Sequence, residues 1–68
     1  MALSARNQLK GTVKEVVTGV ITAKVVIDIG GGNEIVAVVT KDAVEDLGLK
    51  PGSAAIAVIK ATEVLIMT

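Results

Sequence analysis

The sequence predicts an all-β protein, and three features of its 68 residues support this. Apolar side chains alternate with a period of two through several segments that glycine-containing turns separate. Helical spacing and helix-capping residues occur in one short stretch. The predicted strands are apolar on both faces. The chain has no cysteine to form a disulfide, and it has no cysteine or histidine to form a Cys/His zinc site. We interpret residues 1–68 as one domain.

The predicted strands follow one another closely along the chain. Residues 20–29 and 34–40 alternate on either side of the glycines at 30–32, a pattern typical of a β-hairpin. Residues 9–17 predict an earlier strand, in which Gly11 indicates a bend or bulge. Residues 54–59 and 63–67 predict two further strands. The chain is therefore expected to form five strands.

One short helix interrupts these strands. The Thr40 hydroxyl can cap its start, Val44 and Leu47 form an apolar pair at helical spacing, and Gly48 is a typical stop. Pro51 follows three residues later, as expected beyond a helix end. Five strands with a short helix between the third and the fourth predict a small OB-like barrel.

The second apolar face of the strands predicts self-association. Val20, Val26, Val36 and Val38 cannot all enter the interior that the opposite faces of the same strands fill. Burial of such a side chain is worth about 1.5–3 kcal/mol, and rows of them in water favour aggregation. A domain of about 60 residues also buries only about 60% of the surface that its unfolded chain exposes. We therefore expect a homo-oligomer.

Composition and charge argue against several classes of function. Seven basic and seven acidic residues cancel, and there is no Phe, Tyr or Trp, so neither phosphate neutralisation nor base stacking favours nucleic-acid binding. No apolar run approaches the roughly 20 residues of a membrane helix, and no signal peptide is apparent. Without His or Cys, most catalytic arrangements are excluded. We expect a cytoplasmic, non-enzymatic protein with no membrane partner.

The residues that favour binding chemistry lie at two distant places in the sequence. Ser4 offers a hydroxyl, Arg6 a planar set of donors, and the amides around Ala5 two more, while Lys60 adds a second cation. A tetrahedral dianion such as molybdate needs many converging donors and partial charge compensation, and charge-assisted bonds from Arg suit it. Thr40 and the amides that begin its helix form a second donor cluster.

Residues 4–11 (SARNQLKG) strongly resemble the opening of the molbindins, the small molybdenum-pterin-binding or Mop proteins. The resemblance continues through residues 19–23 (GVITA), 31–33 (GGN), 47–49 (LGL) and 57–64 (AVIKATEV). Related domains occur in molybdate-responsive regulators and in molybdate-transport ATPases, and this chain is similar to the free-standing form. The resemblance implies an OB-like subunit in a hexamer of paired subunits, with oxyanion sites at subunit interfaces.

The resemblance also implies the site residues by position. One subunit would contribute Ser4, the backbone of Ala5, Arg6, Lys60 and Ala61, and its neighbour Thr40 and Ala43. Relatives often carry Ser at positions 43 and 61, where the loss of a hydroxyl costs about 0.5–1.5 kcal/mol. Backbone amides at both positions are expected to donate in its place. The turn at Gly19 and Val20 is the candidate for a second class of oxyanion site.

The implied function is intracellular binding of molybdate or tungstate for storage or metal homeostasis. Hydrogen bonds and charge would hold the ion, with no direct protein–metal ligands. The chain has no aromatic residue to stack a pterin, so we expect no organic cofactor. Two alternatives stay open. One is a nucleic-acid-binding OB module, and the other is a structural oligomer in which Arg6 and Lys60 only make ion pairs.

Overall fold

The computed structural model describes residues 3–68 and confirms the all-β prediction. Its elements are β1 (Asn7–Thr18), β2 (Thr22–Gly30), β3 (Asn33–Thr40), α1 (Lys41–Leu47), β4 (Ala54–Ile59) and a 3-10 turn (Ala61–Glu63). All strand pairs are antiparallel, in the order β3-β2-β1-β4. The sheet curls into a half-barrel with the short helix between β3 and β4. No helix in residues 3–68 is long and apolar enough to cross a membrane.

The long strand β1 curls the sheet because its two halves pair with different neighbours. The first half pairs with β4 from Asn7↔Ile59 to Thr12↔Ala54, and the second half pairs with β2 as far as Thr18↔Ala23. Such a shared strand wraps the sheet around the core face. It also places both edge strands, β3 and β4, on either side of the open mouth of the half-barrel.

The irregularity predicted at Gly11 lies further along β1. The register shift falls between Val13 and Glu15, so the prediction of a bulge at Gly11 is wrong in position. Gly11 is needed for a close approach instead, because a Cβ there would lie 2.3 Å from the Asp28 carbonyl oxygen. The glycine thus allows β1 and β2 to pack more closely than any side chain would permit.

Residues close together in the sequence determine the β2–β3 turn and the two ends of the helix. Gly31 and Gly32 form a two-residue turn between β2 and β3 with φ of 64° and 79°, as a type I′ turn requires. The Thr40 Oγ accepts a hydrogen bond from the Ala43 N–H at 3.0 Å, and α1 ends at Gly48 with φ of 64°. Both the predicted turn and the predicted caps are therefore confirmed.

A small aliphatic core lies on the concave face of the sheet. Its buried members are Val13, Ala23, Val25, Ile27, Val44 and Ala57. Of the apolar pair predicted for the helix, Val44 is buried but Leu47 is 70% exposed. Leu49 packs against the core instead, because the chain reverses at Gly48 and the Leu49 N–H donates to the Val44 carbonyl at 3.0 Å.

The second apolar face is largely exposed in the single chain. Val26 is buried, but the other large side chains of this face remain accessible; the exposed ones on the strands are Val17, Val36, Val38, Ile56 and Val58. Exposed apolar patches of this kind mark interaction surfaces.

The fifth strand predicted over residues 63–67 does not form within the chain. The chain turns at Ala61–Glu63, and residues 64–68 pair with no strand in the part of the chain that the structure describes. Leu65, Ile66 and Met67 are about nine-tenths exposed. A strand is held by hydrogen bonds to a neighbouring strand, and apolar alternation alone does not supply that neighbour. The predicted count of five strands is corrected to four for residues 3–68.

Candidate functional site

The antiparallel register of β1 and β4 brings Arg6 and Lys60 to the same end of the sheet. Asn7 pairs with Ile59, so the residue before β1 and the residue after β4 are the next positions outward along this ladder. Both side chains are exposed. Residues that are 54 positions apart in the sequence therefore lie at one sheet end, and we call Ser4, Ala5, Arg6, Lys60 and Ala61 the cationic end.

Hydrogen bonds order the backbone on both sides of the cationic end. The Gln8 Nε2 donates to the Ala5 carbonyl at 2.9 Å and ties the segment before β1 to the start of the strand. The Glu63 N–H donates to the Lys60 carbonyl at 2.9 Å and forms the 3-10 turn. The Ala61 N–H, by contrast, has no acceptor among residues 3–68. The backbone here supplies a free donor beside two cations.

Arg6 and Lys60 have no carboxylate within ion-pair distance in residues 3–68. The ion pair found in this part of the chain joins Lys14 and Glu34, across the β1–β2–β3 face. The Glu34 carboxylate accepts a hydrogen bond from the Lys14 ammonium and attracts its charge, which raises the pKa of Lys14 above its ordinary value. Within one chain, Arg6 and Lys60 therefore do not make the structural ion pairs of the scaffolding alternative.

The second group of predicted donors lies where β3 meets α1. Thr40 ends β3 and pairs with Thr22, and the Lys41 N–H donates to the Ile21 carbonyl at 2.7 Å. These bonds hold the start of the helix against the turn at Gly19 and Val20. We call the group formed by Thr40, Ala43, Gly19 and Val20 the threonine end.

Two backbone donors that the sequence suggested are already used in the structure. The Ala43 N–H donates to the Thr40 Oγ, and the Gly19 N–H donates to the Thr22 carbonyl at 2.7 Å. Within one chain the Ala43 amide, which is expected to donate in place of a missing serine hydroxyl, is thus engaged in the helix cap, and its part in an oxyanion site stays a prediction. The Thr40 hydroxyl keeps its own proton to donate, since its oxygen acts as the acceptor in the cap. The helix cap predicted at Thr40 already implied that its oxygen accepts a hydrogen bond from an amide in the first turn of the helix.

The two groups lie at opposite ends of β1. Arg6 immediately precedes the first residue of the strand, whereas its last residue, Thr18, pairs with Ala23 beside the Thr22↔Thr40 pair. The structure thus brings together the members of each end but does not bring the two ends together in one chain. A site that uses both ends needs a second subunit.

The chemistry of both ends is that of hydrogen-bond donors. No group of three or more His, Cys, Asp or Glu residues in the described 66 positions, 3–68, is arranged to hold a metal ion. The side chains at the cationic end are a hydroxyl, a guanidinium and an ammonium. Such a set suits an anion that accepts several hydrogen bonds.

Comparisons with a family model, with known proteins and with solved structures all point to one family. Residues 3–66 match the model of the TOBE domain. Molybdenum-pterin-binding protein 1 of Clostridium pasteurianum is 54% identical over 67 residues, which cover 98% of each chain. The solved structure of a molybdate-binding protein from Sporomusa ovata superposes with a TM-score of 0.93 at 47% identity, with both chains fully covered.

A third relative was solved with its ligand. The cytoplasmic molybdate-binding protein ModG, in a form with molybdate bound, is 57% identical with a TM-score of 0.87, over 90% of this chain and 43% of that chain. The likeness to the first two relatives spans nearly all of each chain. The chain therefore belongs to the TOBE-domain family and, within it, to the single-domain molybdenum-pterin-binding (Mop) proteins.

Proposed function

We propose that this protein binds molybdate, or the closely similar tungstate, for storage or homeostasis of the metal inside the cell. The observation that carries the proposal is the cationic end, where Arg6 and Lys60 lie beside a hydroxyl and the Ala61 amide, and where none of these cations or this amide has a partner within residues 3–68. The relatives named above support the choice of ion, because their names describe molybdenum or molybdate binding.

The charges of the cationic end match a dianion. Arg6 and Lys60, which form no ion pair with residues in the described range 3–68, compensate a charge of minus two. The guanidinium of Arg6 can donate two parallel hydrogen bonds to neighbouring oxygens of the ion. Ser4 and the Ala61 N–H add neutral donors from two further directions. A hydrogen bond to a charged group contributes about 1.5–3 kcal/mol, so a few such bonds give substantial affinity without any ligand bound directly to the metal.

The site is completed by a neighbouring subunit. Because the threonine end lies at the other end of β1, the Thr40 hydroxyl reaches the ion only from a second copy of the chain. The exposed apolar strand face of each chain supplies a surface for this association. We propose a homo-oligomer, a hexamer of paired OB-like subunits, with oxyanion sites at its interfaces.

The turn at Gly19 and Val20 is proposed as part of a second class of oxyanion site. Val20 is 92% exposed, so the backbone of this turn is accessible to solvent. The Gly19 N–H already donates to Thr22, which leaves the amides that follow it as the donors of such a site.

The proposed role is binding and not catalysis, with no organic cofactor. The donor set holds an oxyanion by its oxygens and offers no nucleophile with an adjacent base. A cytoplasmic location is in keeping with the description of ModG as a cytoplasmic molybdate-binding protein.

Calorimetric titration with sodium molybdate tests the proposal, with tungstate and sulfate in parallel. We expect saturable heat with molybdate and tungstate and little with sulfate. Arg6→Gln and Lys60→Gln should each weaken binding by about 10- to 150-fold, the equivalent of one lost charged hydrogen bond. Lys50→Gln is the matched control, because it removes the same charge from an exposed lysine in the loop that bonds to Val13 in the middle of β1, away from both ends.

The outcomes separate the proposal from a scaffolding role. An intact oligomer with lost anion affinity in Arg6→Gln supports binding. Absence of heat with all three anions on a folded oligomer, or an altered oligomer mass in Arg6→Gln, would support scaffolding instead. Equal weakening of molybdate binding by Lys50→Gln would show that only overall charge matters.

A further inference from the structure

The antiparallel ladder between β1 and β4 has an alternation that can be followed to the cationic end. The Val13 N–H donates to the Ser53 carbonyl at 2.8 Å, so these two residues form a hydrogen-bonded pair. The register runs without a shift through the whole β1–β4 pairing. Because hydrogen-bonded pairs recur at every second residue of an antiparallel ladder, they fall on the odd-numbered residues of β1. Continued beyond the first residue of the strand, this alternation puts Ala5 opposite Ala61 as the next hydrogen-bonded pair.

Neither bond of this pair forms, because both carbonyls already have other donors. The Gln8 Nε2 donates to the Ala5 carbonyl at 2.9 Å, and the Val64 N–H donates to the Ala61 carbonyl at 3.4 Å. The two amides are left over, since neither the Ala5 N–H nor the Ala61 N–H has an acceptor among residues 3–68. The ladder therefore ends in two backbone donors that its alternation directs into the gap between the strand ends, beside the two cations of the cationic end.

We propose that Gln8 is a positioning residue of the oxyanion site. Its side-chain amide occupies the Ala5 carbonyl, ends the β1–β4 ladder one pair early and leaves the amides of Ala5 and Ala61 for the ion. Gln8 acts through these two amides and does not itself touch the ion. The inference rests on the proposed function, because it assigns the two amides to the binding of molybdate.

Gln8 suits this role by its place in the fold and by its chemistry. Its backbone belongs to β1, where it pairs with Val58, and its exposed side chain reaches back three residues to Ala5. A carbonyl oxygen only accepts hydrogen bonds, so the Gln8 amide turns its NH2 group toward it. The side chain is neutral and leaves the charge balance between Arg6, Lys60 and a dianion unchanged. Backbone amides that are left without an internal partner are the donors that anion-binding concavities use.

Gln8→Met tests the role, because methionine keeps the length of the side chain but has no donor. The Ala5 carbonyl should then accept the Ala61 N–H and complete the pair. Molybdate binding should weaken by about 10- to 150-fold in calorimetry, the equivalent of one lost bond to a charged group. The urea midpoint without anion should stay at or above that of the wild type, because a backbone bond replaces the lost side-chain bond.

The stability measurement separates positioning from a structural role. A structural role of Gln8 predicts a lower urea midpoint and an unchanged molybdate affinity, the reverse of what positioning predicts, and that result would overturn the proposal. Thr12→Val is the matched control, because it removes a polar group from the same exposed face of β1, four residues further along the strand. Its molybdate affinity should equal that of the wild type.

Hydrogen exchange of the Ala61 amide, followed by NMR in a buffer free of oxyanions, tests the early end of the ladder without any ligand. The amide should exchange rapidly in the wild type and about tenfold or more slowly in Gln8→Met, where the completed pair protects it. Gln8→Lys, whose ammonium can donate to the same carbonyl, should restore rapid exchange. Equal exchange of this amide in the wild type and in Gln8→Met would overturn the proposal.

The titrations also distinguish failure of this inference from failure of the proposed function. If the wild type binds molybdate and Gln8→Met binds it equally well, the role of Gln8 is refuted and the proposed function stands. If the wild type itself binds no molybdate, the proposed function is refuted and the role of Gln8 in the site is refuted with it.

Discussion

Replacement of Gly11 by alanine tests the packing of the half-barrel. In the structure, a Cβ at this position would lie 2.3 Å from the Asp28 carbonyl oxygen and 2.8 Å from the Ile27 Cγ2. Contacts below 3.0 Å are essentially never found for real Cβ atoms, and the nearer atom belongs to the backbone of the paired strand. β1 and β2 must therefore move apart where Thr12 pairs with Asp28.

Two effects oppose each other in this variant. Overpacking costs about 1–3 kcal/mol, and a clash with backbone belongs to the upper half of that range, about 2–3 kcal/mol. The φ of Gly11 is not in the left-handed region, so alanine also restricts the unfolded chain, a gain of about 0.4–1 kcal/mol. The clash outweighs this gain, and we expect a net loss of about 1–2.5 kcal/mol in the free energy of unfolding.

Urea unfolding followed by far-ultraviolet circular dichroism measures this loss, since the chain has no aromatic residue for fluorescence. With a slope of about 1 kcal/mol per molar urea for a small protein, the midpoint should fall by about 1–2.5 M. All samples need the same subunit concentration because the stability of an oligomer depends on it. Gly19→Ala is the control, with its nearest neighbour at 3.2 Å. A midpoint for Gly11→Ala at or above that of the wild type would refute the reasoning.

Three further predictions concern the cap, the anion site and the ion pair. Thr40→Val removes the helix cap and should lower the free energy of unfolding by about 0.5–2 kcal/mol. Thr40→Asp should retain the cap but repel the anion. A molybdate affinity of Thr40→Asp equal to that of the wild type would exclude Thr40 from the site. Ala61→Ser adds a hydroxyl donor at the cationic end and should tighten molybdate binding by about 2- to 10-fold in calorimetry; unchanged affinity would place position 61 away from the ion. Because the pKa of Lys14 is raised in the folded chain, its pair with Glu34 stabilises the fold fully below the unfolded lysine pKa of about 10.4 and is lost as the pH rises through the higher folded value. Urea midpoints should therefore fall more steeply above pH 10 in the wild type than in Glu34→Gln, and parallel curves would contradict this.

The parts of the fold that the sequence predicted correctly depend on local chemistry. Consecutive glycines specify the β2–β3 turn, and Thr40 and Gly48 cap a helix within a few residues of each other. β4 has the predicted bounds because glycine and serine end the preceding loop and Lys60 ends the apolar alternation. Each of these signals acts over a distance of less than ten residues.

Two of the parts that were wrong depend on neighbours that are distant in sequence, and the third depends on where the chain reverses after the helix. Gly11 is explained by the carbonyl of Asp28, 17 positions away, and no local pattern announces that contact. Residues 63–67 have strand-like composition, but the described part of the single chain, residues 3–68, provides no paired neighbour for them. Leu49 replaces Leu47 in the core because the chain reverses at Gly48, which spacing within a helix does not predict.

The candidate site also has one part that the sequence predicts and another that only the strand pairing reveals. The chemical character of Ser4, Arg6, Lys60 and Thr40 can be recognised from the sequence. Their grouping into two separate ends follows from the strand register, in which Asn7 pairs with Ile59 and Thr22 with Thr40. Only this register shows that a site combining both ends needs two subunits.

Anomalous diffraction from crystals grown with molybdate, measured on both sides of the molybdenum absorption edge, tests the central claim most directly. We predict a strong anomalous peak at a subunit interface, within hydrogen-bond distance of Ser4, Arg6 and the Ala61 N–H of one subunit and of the Thr40 hydroxyl of another. Two results would contradict the account, provided that molybdate binding in solution is saturable. One is the absence of an anomalous peak between these groups, and the other is a peak remote from Arg6.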